Sequence, residues 1–389
     1  MNTFENLKIS KPLLKILESE SCNTPYPIQE KAIPVISKGR DVLGIAKTGS
    51  GKTLSYVLPI LEKLNGKTPS ILSAKDRRAP LVLVVVPTRE LAVQVNDVFK
   101  LFSVDSDVKS MAVFGGVSIN PQMKALNNVS ILVATPGRLL KLVETNAITL
   151  DKVETLVLDE ADKILNEGFS EEVNQILNLL PKKRQNLLFS ATLNEGISHI
   201  NKVLLKNPER IKIESVEGES DLINQEVYAV SDARKGPFLR YLIVSQNMKQ
   251  VLIFTSSVAR ANRVAEKLRK NGIDAMAIHK KKTQGVRTDL LTKFKHGKLN
   301  VLVSTDLLSR GIDIDLLPYV INYELPRSPK VFIHRIGRTG RAETEGKAIT
   351  LITPEEEAHF RVIEKKMGKR VSRTETKDIN LHGYWFLVE

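Results

Sequence analysis

Short runs of Val, Ile and Leu alternate along the chain with longer stretches whose apolar residues recur at helical spacing. The longest unbroken run, Leu81–Val86, contains no polar residue, which is typical of a strand buried on both faces of a sheet. It is also far shorter than the ~20 residues that a membrane-spanning helix needs. The alternation therefore predicts an α/β fold built from βα units around mainly parallel sheets.

The predicted strands fall into two similar groups, which suggests a duplicated fold. The first group comprises Val42–Ile45, Leu81–Val86, Ile131–Ala134, Thr155–Leu158 and Asn186–Phe189. The second group comprises Val251–Phe254, Ala275–Ile278, Val301–Ser304, Tyr319–Tyr323 and Ala348–Ile352. Residues 214–222 between the groups are acidic and polar and lack periodicity, so we predict a linker there. We accordingly expect a first domain at residues 1–213, a second at 223–365 and a short basic tail at 366–389.

The composition supports two domains and points to a partner. A length of 389 residues favours two domains, because single cores stop growing near ~250 residues. The formal net charge is +14, from 58 basic and 44 acidic residues. Such a balance favours a polyanionic partner, although a basic surface also serves solubility alone.

The cysteine content and the first residues bear on location. Cys22 is the only cysteine, which excludes a disulfide within the chain and favours a reducing, cytoplasmic setting. The first six residues include Glu5 and no apolar run, so we expect no signal peptide. Since no apolar run is long enough to cross a bilayer, we also expect no membrane partner.

A glycine-rich motif provides the strongest local signal. Ala46-Lys47-Thr48-Gly49-Ser50-Gly51-Lys52-Thr53 follows a predicted strand and precedes an apolar helical stretch, Leu54–Leu64. Glycines allow backbone N–H groups to surround phosphates, and the helix N-terminus adds favourable partial charge. We expect Lys52 to reach the β- and γ-phosphates and the Thr53 hydroxyl to ligate Mg²⁺. The motif predicts a nucleoside triphosphate site.

An acidic motif complements this loop. Asp159-Glu160-Ala161-Asp162 directly follows the predicted strand Thr155–Leu158. Carboxylates at the carboxyl end of a strand face the crevice in which α/β sheets bind ligands. We expect Asp159 to hold Mg²⁺, largely through water, and Glu160 to orient and deprotonate the attacking water. Alone, such a cluster is more often a turn or a helix cap; together with the loop it predicts an NTPase.

Further motifs follow in a fixed order. The first half contains Pro87-Thr88-Arg89-Glu90-Leu91-Ala92, Gly115-Gly116, Thr135-Pro136-Gly137-Arg138 and Ser190-Ala191-Thr192. The second half contains Ile253-Phe254-Thr255, Gln284 with Arg287, Ser304-Thr305-Asp306, Arg310-Gly311-Ile312-Asp313 and His334-Arg335-Ile336-Gly337-Arg338-Thr339-Gly340-Arg341. With these motifs the chain resembles the DEAD-box RNA helicase family from Phe4 to about Ile352. Among family members, its compact form is similar to bacterial proteins of the RhlE type.

The resemblance implies two tandem RecA-like domains that close over ATP, Mg²⁺ and single-stranded RNA. The implied ATP-binding residues are Phe4, Gln29, Ala46, Lys47, Thr48, Gly49, Ser50, Gly51, Lys52, Thr53, Gly311 and Asp313. The implied RNA-binding residues are Thr88, Arg89, Gly116, Thr135, Arg138, Gln284, Arg287 and Thr305. The residues implied to couple the domains are Asp162, Ser190, Thr192 and His334. Hydroxyl, amide and guanidinium groups at strand ends suit phosphate and sugar contacts, although each alone is also typical of a turn.

Two arginines of the last motif are candidate catalytic groups. Arg338 and Arg341 are three residues apart, so a helical turn would place both on one face. The resemblance implies that they stabilise charge on the transferring phosphoryl group, as arginine fingers do. A solvated basic turn is the alternative. His334 has no accompanying ligand residues, so we expect an interdomain hydrogen bond and not a metal site.

The chain departs from the family pattern at several positions. Ala46 replaces the first glycine of the loop, and Ser21-Cys22 replaces a Gly-aromatic pair. Tyr26 stands at a hydroxyl position shortly before Gln29, whose amide can donate to and accept from adenine at the same time. Lys280 replaces a glycine and extends a basic run that serves either phosphate binding or solvation.

We therefore expect a monomeric, RNA-stimulated ATPase that opens short RNA duplexes and contacts the RNA backbone with little sequence preference. A non-unwinding RNA clamp or ribonucleoprotein remodeller would share every motif. A binding module without turnover is disfavoured, because Lys52, Glu160 and Arg338 are all present. DNA is disfavoured as a substrate by the resemblance alone, and the sequence leaves protein partners open.

Overall fold

The computed structural model describes residues 3–47, 49–65, 78–104, 106–166, 169–192, 204–213, 223–306, 317–340 and 346–384. Contacts within the chain divide it into two compact units, Met1–Ser215 and Val216–Glu389. The predicted linker at 214–222 lies outside the described residues. In the described part of the chain, no helix has the length and apolar character that a bilayer crossing requires.

The first unit is a parallel sheet flanked by helices. Its described helices are α1 Lys11–Ser19, α2 Pro27–Ser37, α3 Lys52–Leu64, α4 Arg89–Phe102, α5 Ile119–Ala125, α6 Pro136–Glu144, α7 Ala161–Asn166 and α8 Ser170–Leu179. Its strands are β1 Val42–Ile45, β2 Val82–Val85, β3 Ser110–Val113, β4 Ile131–Ala134, β5 Thr155–Leu158, β6 Gln185–Ser190 and β7 Glu209–Lys212. They form a seven-stranded sheet in the order β3-β4-β2-β5-β6-β1-β7, and all neighbours are parallel.

Hydrophobic residues cover both faces of this sheet. In β2, Val82 and Val84 belong to one core cluster, whereas Leu83 and Val85 belong to another. Successive side chains of a strand point to opposite faces, so a strand covered by helices on both sides needs apolar residues at every position. The continuous apolar run predicted as a strand therefore reflects burial on two faces.

The second unit repeats the arrangement. Its described helices are α9 Asp232–Ser245, α10 Val258–Lys270, α11 Gln284–Lys295, α12 Pro329–Ile336 and α13 Glu357–Met367. Its strands are β8 Ile223–Ala229, β9 Val251–Phe254, β10 Ala275–Ile278, β11 Val301–Ser304, β12 Tyr319–Asn322, β13 Gly346–Ile352 and β14 Arg373–Glu375. The sheet order is β10-β11-β9-β12-β13-β8-β14, which is the first order with seven added to every strand number. The predicted α/β class with two parallel sheets is confirmed, and both sheets share one topology.

Four of the described strands, β3, β7, β8 and β14, have no counterpart among the predicted strands. Three of these strands, β3, β7 and β14, lie at the edges of the sheets, and the fourth edge strand is β10. Strands β3 and β7 are partly exposed, and in β8, which lies inside the sheet between β13 and β14, only Ile223 and Val227 are buried. Edge strands need less apolar sequence, because they are not covered on both sides, and their pattern is correspondingly weak.

The segment predicted as a tail contributes to the second sheet. Strand β14 pairs in parallel with β8 and completes the sheet at this edge. The guanidinium of Arg373 binds Glu357 and Glu364 of α13 at 3.0 and 2.6 Å and lies 4.9 Å from the ring centre of Phe360. Residues 366–384 are therefore folded against the unit and not a separate tail. The sequence alone did not indicate this, because the strand is three residues long and its one basic residue, Arg373, finds acidic partners only in the fold.

Candidate ATP and RNA sites

The predicted phosphate loop connects β1 to α3. Gly49 and Gly51 have φ angles of 77° and 82°, in the left-handed region that favours glycine. Gly51 is also the N-cap of α3, so the first turn of the helix opens toward the loop. A Cβ at Gly51 would collide with Gln29 and lie 2.8 Å from the ring of Tyr26. Glycine is therefore required here by backbone conformation and by space; Thr48 lies outside the described residues.

Lys52 is folded back onto this loop. Its Nζ donates hydrogen bonds of 2.7 Å to the carbonyl oxygens of Ala46 and Lys47. The side chain is only 8% exposed. Burial lowers the pKa of the Lys52 ammonium, while the carboxylates of Asp159 and Glu160 act in the opposite direction. The two carbonyl groups hold the ammonium beside the loop. The oxygens of a bound phosphate would replace these carbonyl oxygens as hydrogen-bond acceptors.

Asp159 occupies the end of β5, opposite the loop. Its Oδ1 accepts a hydrogen bond from the backbone N–H of Glu160, and its Oδ2 accepts one from the Tyr56 hydroxyl, both at 2.8 Å. Burial raises the pKa of the Asp159 carboxyl, and nearby Lys52 opposes this shift. Burial, reinforced by Asp159, also raises the pKa of Tyr56 well above its ordinary value, so the phenol remains a donor.

Glu160 has an unusual backbone and a buried partner. Its φ of 51° is in the left-handed region, which is uncommon for a residue with a long side chain. One carboxylate oxygen lies 2.6 Å from Lys163 Nζ, and both side chains are almost completely buried. The candidate base is thus held one helical turn from a cation at the start of α7.

Three of the residues predicted to couple the domains form one hydrogen-bonded chain within the first unit. The Thr192 hydroxyl donates to Asp162 Oδ2 at 3.1 Å. The Ser190 hydroxyl donates to the backbone oxygen of Thr192 at 2.8 Å. The chain links the start of α7, which follows β5, to the end of β6, which neighbours β5 in the sheet.

The two residues predicted to contact adenine are both buried. The Gln29 amide donates to the carbonyl oxygen of Gly51 at 3.0 Å, and its oxygen accepts from the backbone N–H of Tyr26 at 2.8 Å. Phe4 is packed in the hydrophobic core that also contains residues of α2. Gln29 therefore ties the first turn of α2 to the phosphate loop, with one amide hydrogen and one oxygen lone pair left for a further partner.

The predicted RNA-binding residues of the first unit gather at neighbouring strand ends. Thr88 follows β2, Gly116 follows β3 and Thr135 follows β4, and these strands are adjacent in the order β3-β4-β2. Arg89 lies directly on Gly116, where a Cβ would collide with the guanidinium. Arg138 Nη2 donates to the Val117 carbonyl oxygen at 2.7 Å. Burial, and the charge of Arg89, lower the pKa of Arg138.

The carboxyl edge of the first sheet is therefore divided into two halves. The candidate RNA residues follow β3, β4 and β2, whereas the phosphate loop follows β1 and the carboxylates follow β5, with the coupling residues Ser190 and Thr192 at the end of β6 between them. Because all strands are parallel, every one of these side chains starts from the same edge. The two groups of candidate residues therefore lie next to each other along this edge.

The second unit repeats the first half of this arrangement. Gln284 and Arg287 begin the helix after β10, and Thr305 follows β11, which neighbours β10 in the sheet. Arg287 Nη1 donates to Gln284 Oε1 at 3.2 Å. The predicted residues Gly311, Asp313 and Arg341 lie outside the described residues.

The remaining candidates are on α12 and directly after it. His334 is half-buried in the last turn of the helix. Arg338 is two residues beyond the helix, and its backbone oxygen accepts a hydrogen bond from Leu317 at 3.1 Å. The arginine is buried, so it is not part of a solvated basic turn.

Comparison with known proteins agrees with this geometry. A family model described as DEAD/DEAH box helicase matches residues 26–200, and one described as helicase conserved C-terminal domain matches residues 234–343. The ATP-dependent RNA helicase CshA of Listeria monocytogenes is 38% identical over 372 residues, which cover 95% of this chain and 70% of the relative. The DEAD-box ATP-dependent RNA helicase CshA of Bacillus subtilis is 37% identical over 372 residues, covering 95% and 74%.

The chain belongs to the DEAD-box family of ATP-dependent RNA helicases.

Solved structures extend the comparison to the fold of this DEAD-box protein. The structure of S. cerevisiae Dbp5 bound to RNA and ADP BeF3 matches with a TM-score of 0.83 at 28% identity, covering 97% of each chain. A DEAD box protein from Methanococcus jannaschii matches with a TM-score of 0.56 at 34% identity, covering 96% of this chain and 99% of the other. The two units are RecA-like domains, as predicted. The narrower expectation of an RhlE-type protein is not supported, because the bacterial relatives reported above are CshA proteins.

Sequence reasoning gave no role to three residues of this DEAD-box protein that the structure places at the motifs, although one of them, Arg335, is itself part of the last motif. Tyr56 binds Asp159, and Lys163 binds Glu160. Arg335 is fully buried and binds Asp306 at 2.6 Å, the Asn322 side chain at 3.2 Å and the Glu324 backbone at 2.7 Å. The available signals were a tyrosine on the apolar face of α3, whose hydroxyl needs a partner, and a lysine three residues after Glu160.

Proposed function

We propose that this DEAD-box protein holds the backbone of single-stranded RNA and opens short RNA duplexes locally, coupled to ATP hydrolysis and domain closure. The division of the first sheet's carboxyl edge carries the proposal. It provides one group of strand ends with a phosphate loop and carboxylates, and a neighbouring group with hydroxyl and guanidinium side chains. The proposed RNA side and the proposed ATP side of the edge therefore meet between the neighbouring strands β2 and β5.

On the ATP side, each residue has a distinct task. Lys52 exchanges its two carbonyl acceptors for phosphate oxygens, and Glu160 orients the attacking water and accepts its proton. Asp159 and Thr53 offer the oxygen donors that Mg²⁺ prefers, with phosphates and water completing its coordination. The described residues contain no group of three or more His, Cys, Asp or Glu side chains that could hold a metal without such help. Mg²⁺ would neutralise the charge that develops on the phosphates.

On the RNA side, the proposed contacts are made to the backbone. Thr88, Gly116 and Thr135 end neighbouring strands, where hydroxyl and N–H groups suit phosphate oxygens. Arg89 and Arg138 add positive charge, and Gln284, Arg287 and Thr305 offer a comparable set in the second domain. Such contacts carry little sequence information, so the protein would accept many RNAs. We further propose that it acts as a monomer in the cytoplasm.

Domain closure is the proposed link between the two ligands. Arg338 and Arg341 would stabilise the charge of the transferring phosphoryl group, and His334 would join the hydrogen-bonded chain of Ser190, Thr192 and Asp162. ATP and RNA would each favour the closed state, so each would strengthen binding of the other. Phosphate release would then reopen the protein.

Strand displacement measured beside ATP hydrolysis tests this proposal. We expect the protein to release the short strand of an RNA duplex with ATP and to fail with ADP or without nucleotide. Lys52→Ala serves as the control, because it removes the cation that contacts the phosphates. RNA-stimulated hydrolysis without strand release would contradict unwinding and identify a clamp or remodeller.

A further inference from the structure

We infer that the Tyr56 hydroxyl positions Asp159 to receive the divalent cation that accompanies ATP. This inference rests on the proposed ATP site, but it concerns a residue outside the loop and the acidic motif. Tyr56 lies three residues after Thr53 on α3, which places both on the same side of the helix.

The Tyr56 hydroxyl binds one of the two candidate Mg²⁺ ligands, Asp159. It donates a hydrogen bond of 2.8 Å to Asp159 Oδ2. A phenol has a single proton to donate, and the bond to Asp159 uses it.

Asp159 is oriented at both of its oxygens. The backbone N–H of Glu160 holds Oδ1 at 2.8 Å, and Tyr56 holds Oδ2 at the same distance. Each oxygen keeps a further lone pair for a cation or its bound water. Groups that hold metal ligands in this way determine their orientation and typically change metal affinity 10- to 100-fold when they are removed.

The tyrosine ring is itself fixed. It is fully buried, and its centre lies 6.3 Å from that of Phe99 and 5.4 Å from that of Phe189. These rings belong to α4 and β6, so the phenol is anchored between the helix and the sheet. A phenylalanine would keep this packing and lose only the hydroxyl.

The test uses Tyr56→Phe in the full chain. Binding of a fluorescent, non-hydrolysable ATP analogue is titrated at increasing Mg²⁺ concentrations and in EDTA. We expect the Mg²⁺ concentration for half-maximal binding to rise about 10-fold. Affinity in EDTA and the thermal midpoint should stay close to those of the unchanged protein, because the loop and the ring packing are intact.

Tyr228→Phe is the matched control. Tyr228 also donates its hydroxyl to a carboxylate, Glu226 at 2.9 Å, but it lies on β8 of the second domain. This variant should leave the Mg²⁺ requirement unchanged. An unchanged Mg²⁺ requirement in Tyr56→Phe would overturn the inference, and so would an equal loss of affinity in EDTA, which would assign Tyr56 to loop structure alone. If the unchanged protein fails to bind the analogue, the proposed ATP site itself is wrong.

Discussion

The guanidinium of Arg89 lies directly against the Cα of Gly116, so that any Cβ at this glycine would collide with it. Gly116 also has a φ of 76°, which other residues adopt with strain. The contact joins the helix after β2 to the turn after β3, two strands apart in the sheet. Arg89 can therefore occupy this position, at the proposed RNA side of the edge, only because residue 116 is a glycine without a side chain.

Gly116→Ala should therefore weaken RNA binding. The methyl group displaces Arg89, and losing one charged contact to phosphate costs about 1.5 kcal/mol, or roughly 10-fold in affinity. Fluorescence anisotropy with a labelled single-stranded RNA measures the effect. Gly115→Ala is the control, because a Cβ there meets nothing within 4 Å. Equal affinities of the two variants would contradict the role of the Arg89 contact.

The buried pair of Glu160 and Lys163 predicts a change in stability. Lys163→Met removes the cation 2.6 Å from the Glu160 carboxylate and leaves a buried charge beside Asp159. Breaking such a pair costs about 3 kcal/mol, which should lower the thermal midpoint by several degrees. The double variant Glu160→Gln with Lys163→Met should recover most of this loss. Additive effects in scanning fluorimetry would mean that the two residues do not interact.

Glu160→Gln alone should separate binding from turnover. The amide keeps the shape of the carboxylate but cannot accept a proton, so we expect ATP hydrolysis to fall by about 10²-fold or more. Affinity for RNA in the presence of ATP should be retained. Steady-state hydrolysis and anisotropy measure the two effects, and normal multiple turnover would exclude Glu160 as the base.

Arg338→Ala tests the proposed finger in the second domain. Removing a finger lowers turnover by about 10³-fold, whereas ATP binding should fall much less, because the phosphate loop is in the first domain. Arg361→Ala is a suitable control, since this arginine of the same domain is exposed and pairs with Glu357 at 3.1 Å. A variant that hydrolyses ATP normally at saturating RNA would show that Arg338 has another role.

How much of the structure the sequence predicts depends on whether the interactions involved are between residues close together in the chain. Strands such as Val42–Ile45 and Thr155–Leu158 are apolar at nearly every position and lie where the pattern placed them. The phosphate loop was also predicted from the sequence, because the conformation of the loop itself requires its glycines. By contrast, Tyr56 and Asp159 are 103 residues apart, and their hydrogen bond exists only after α3 packs beside β5. Periodicity carries no information about such pairs.

Edge strand β14 illustrates the same limit. The sequence around Arg373 is basic, so the sequence alone predicts a basic tail there. Its acidic partners, Glu357 and Glu364, lie on the helix that precedes it. Only the fold shows that these charges neutralise one another. The Gln29 amide is a second example: its sequence context suggested adenine binding, whereas the structure adds hydrogen bonds to Gly51 and Tyr26.

The most direct measurement of the central claim is the rate of ATP hydrolysis with single-stranded RNA, with DNA of the same sequence, and with neither. We predict a low rate alone, strong stimulation by RNA and little by DNA. Lys52→Ala should abolish the rate under all three conditions, because it deletes the cation on the phosphates. Hydrolysis that is the same with and without RNA, or that survives in Lys52→Ala, would contradict the account.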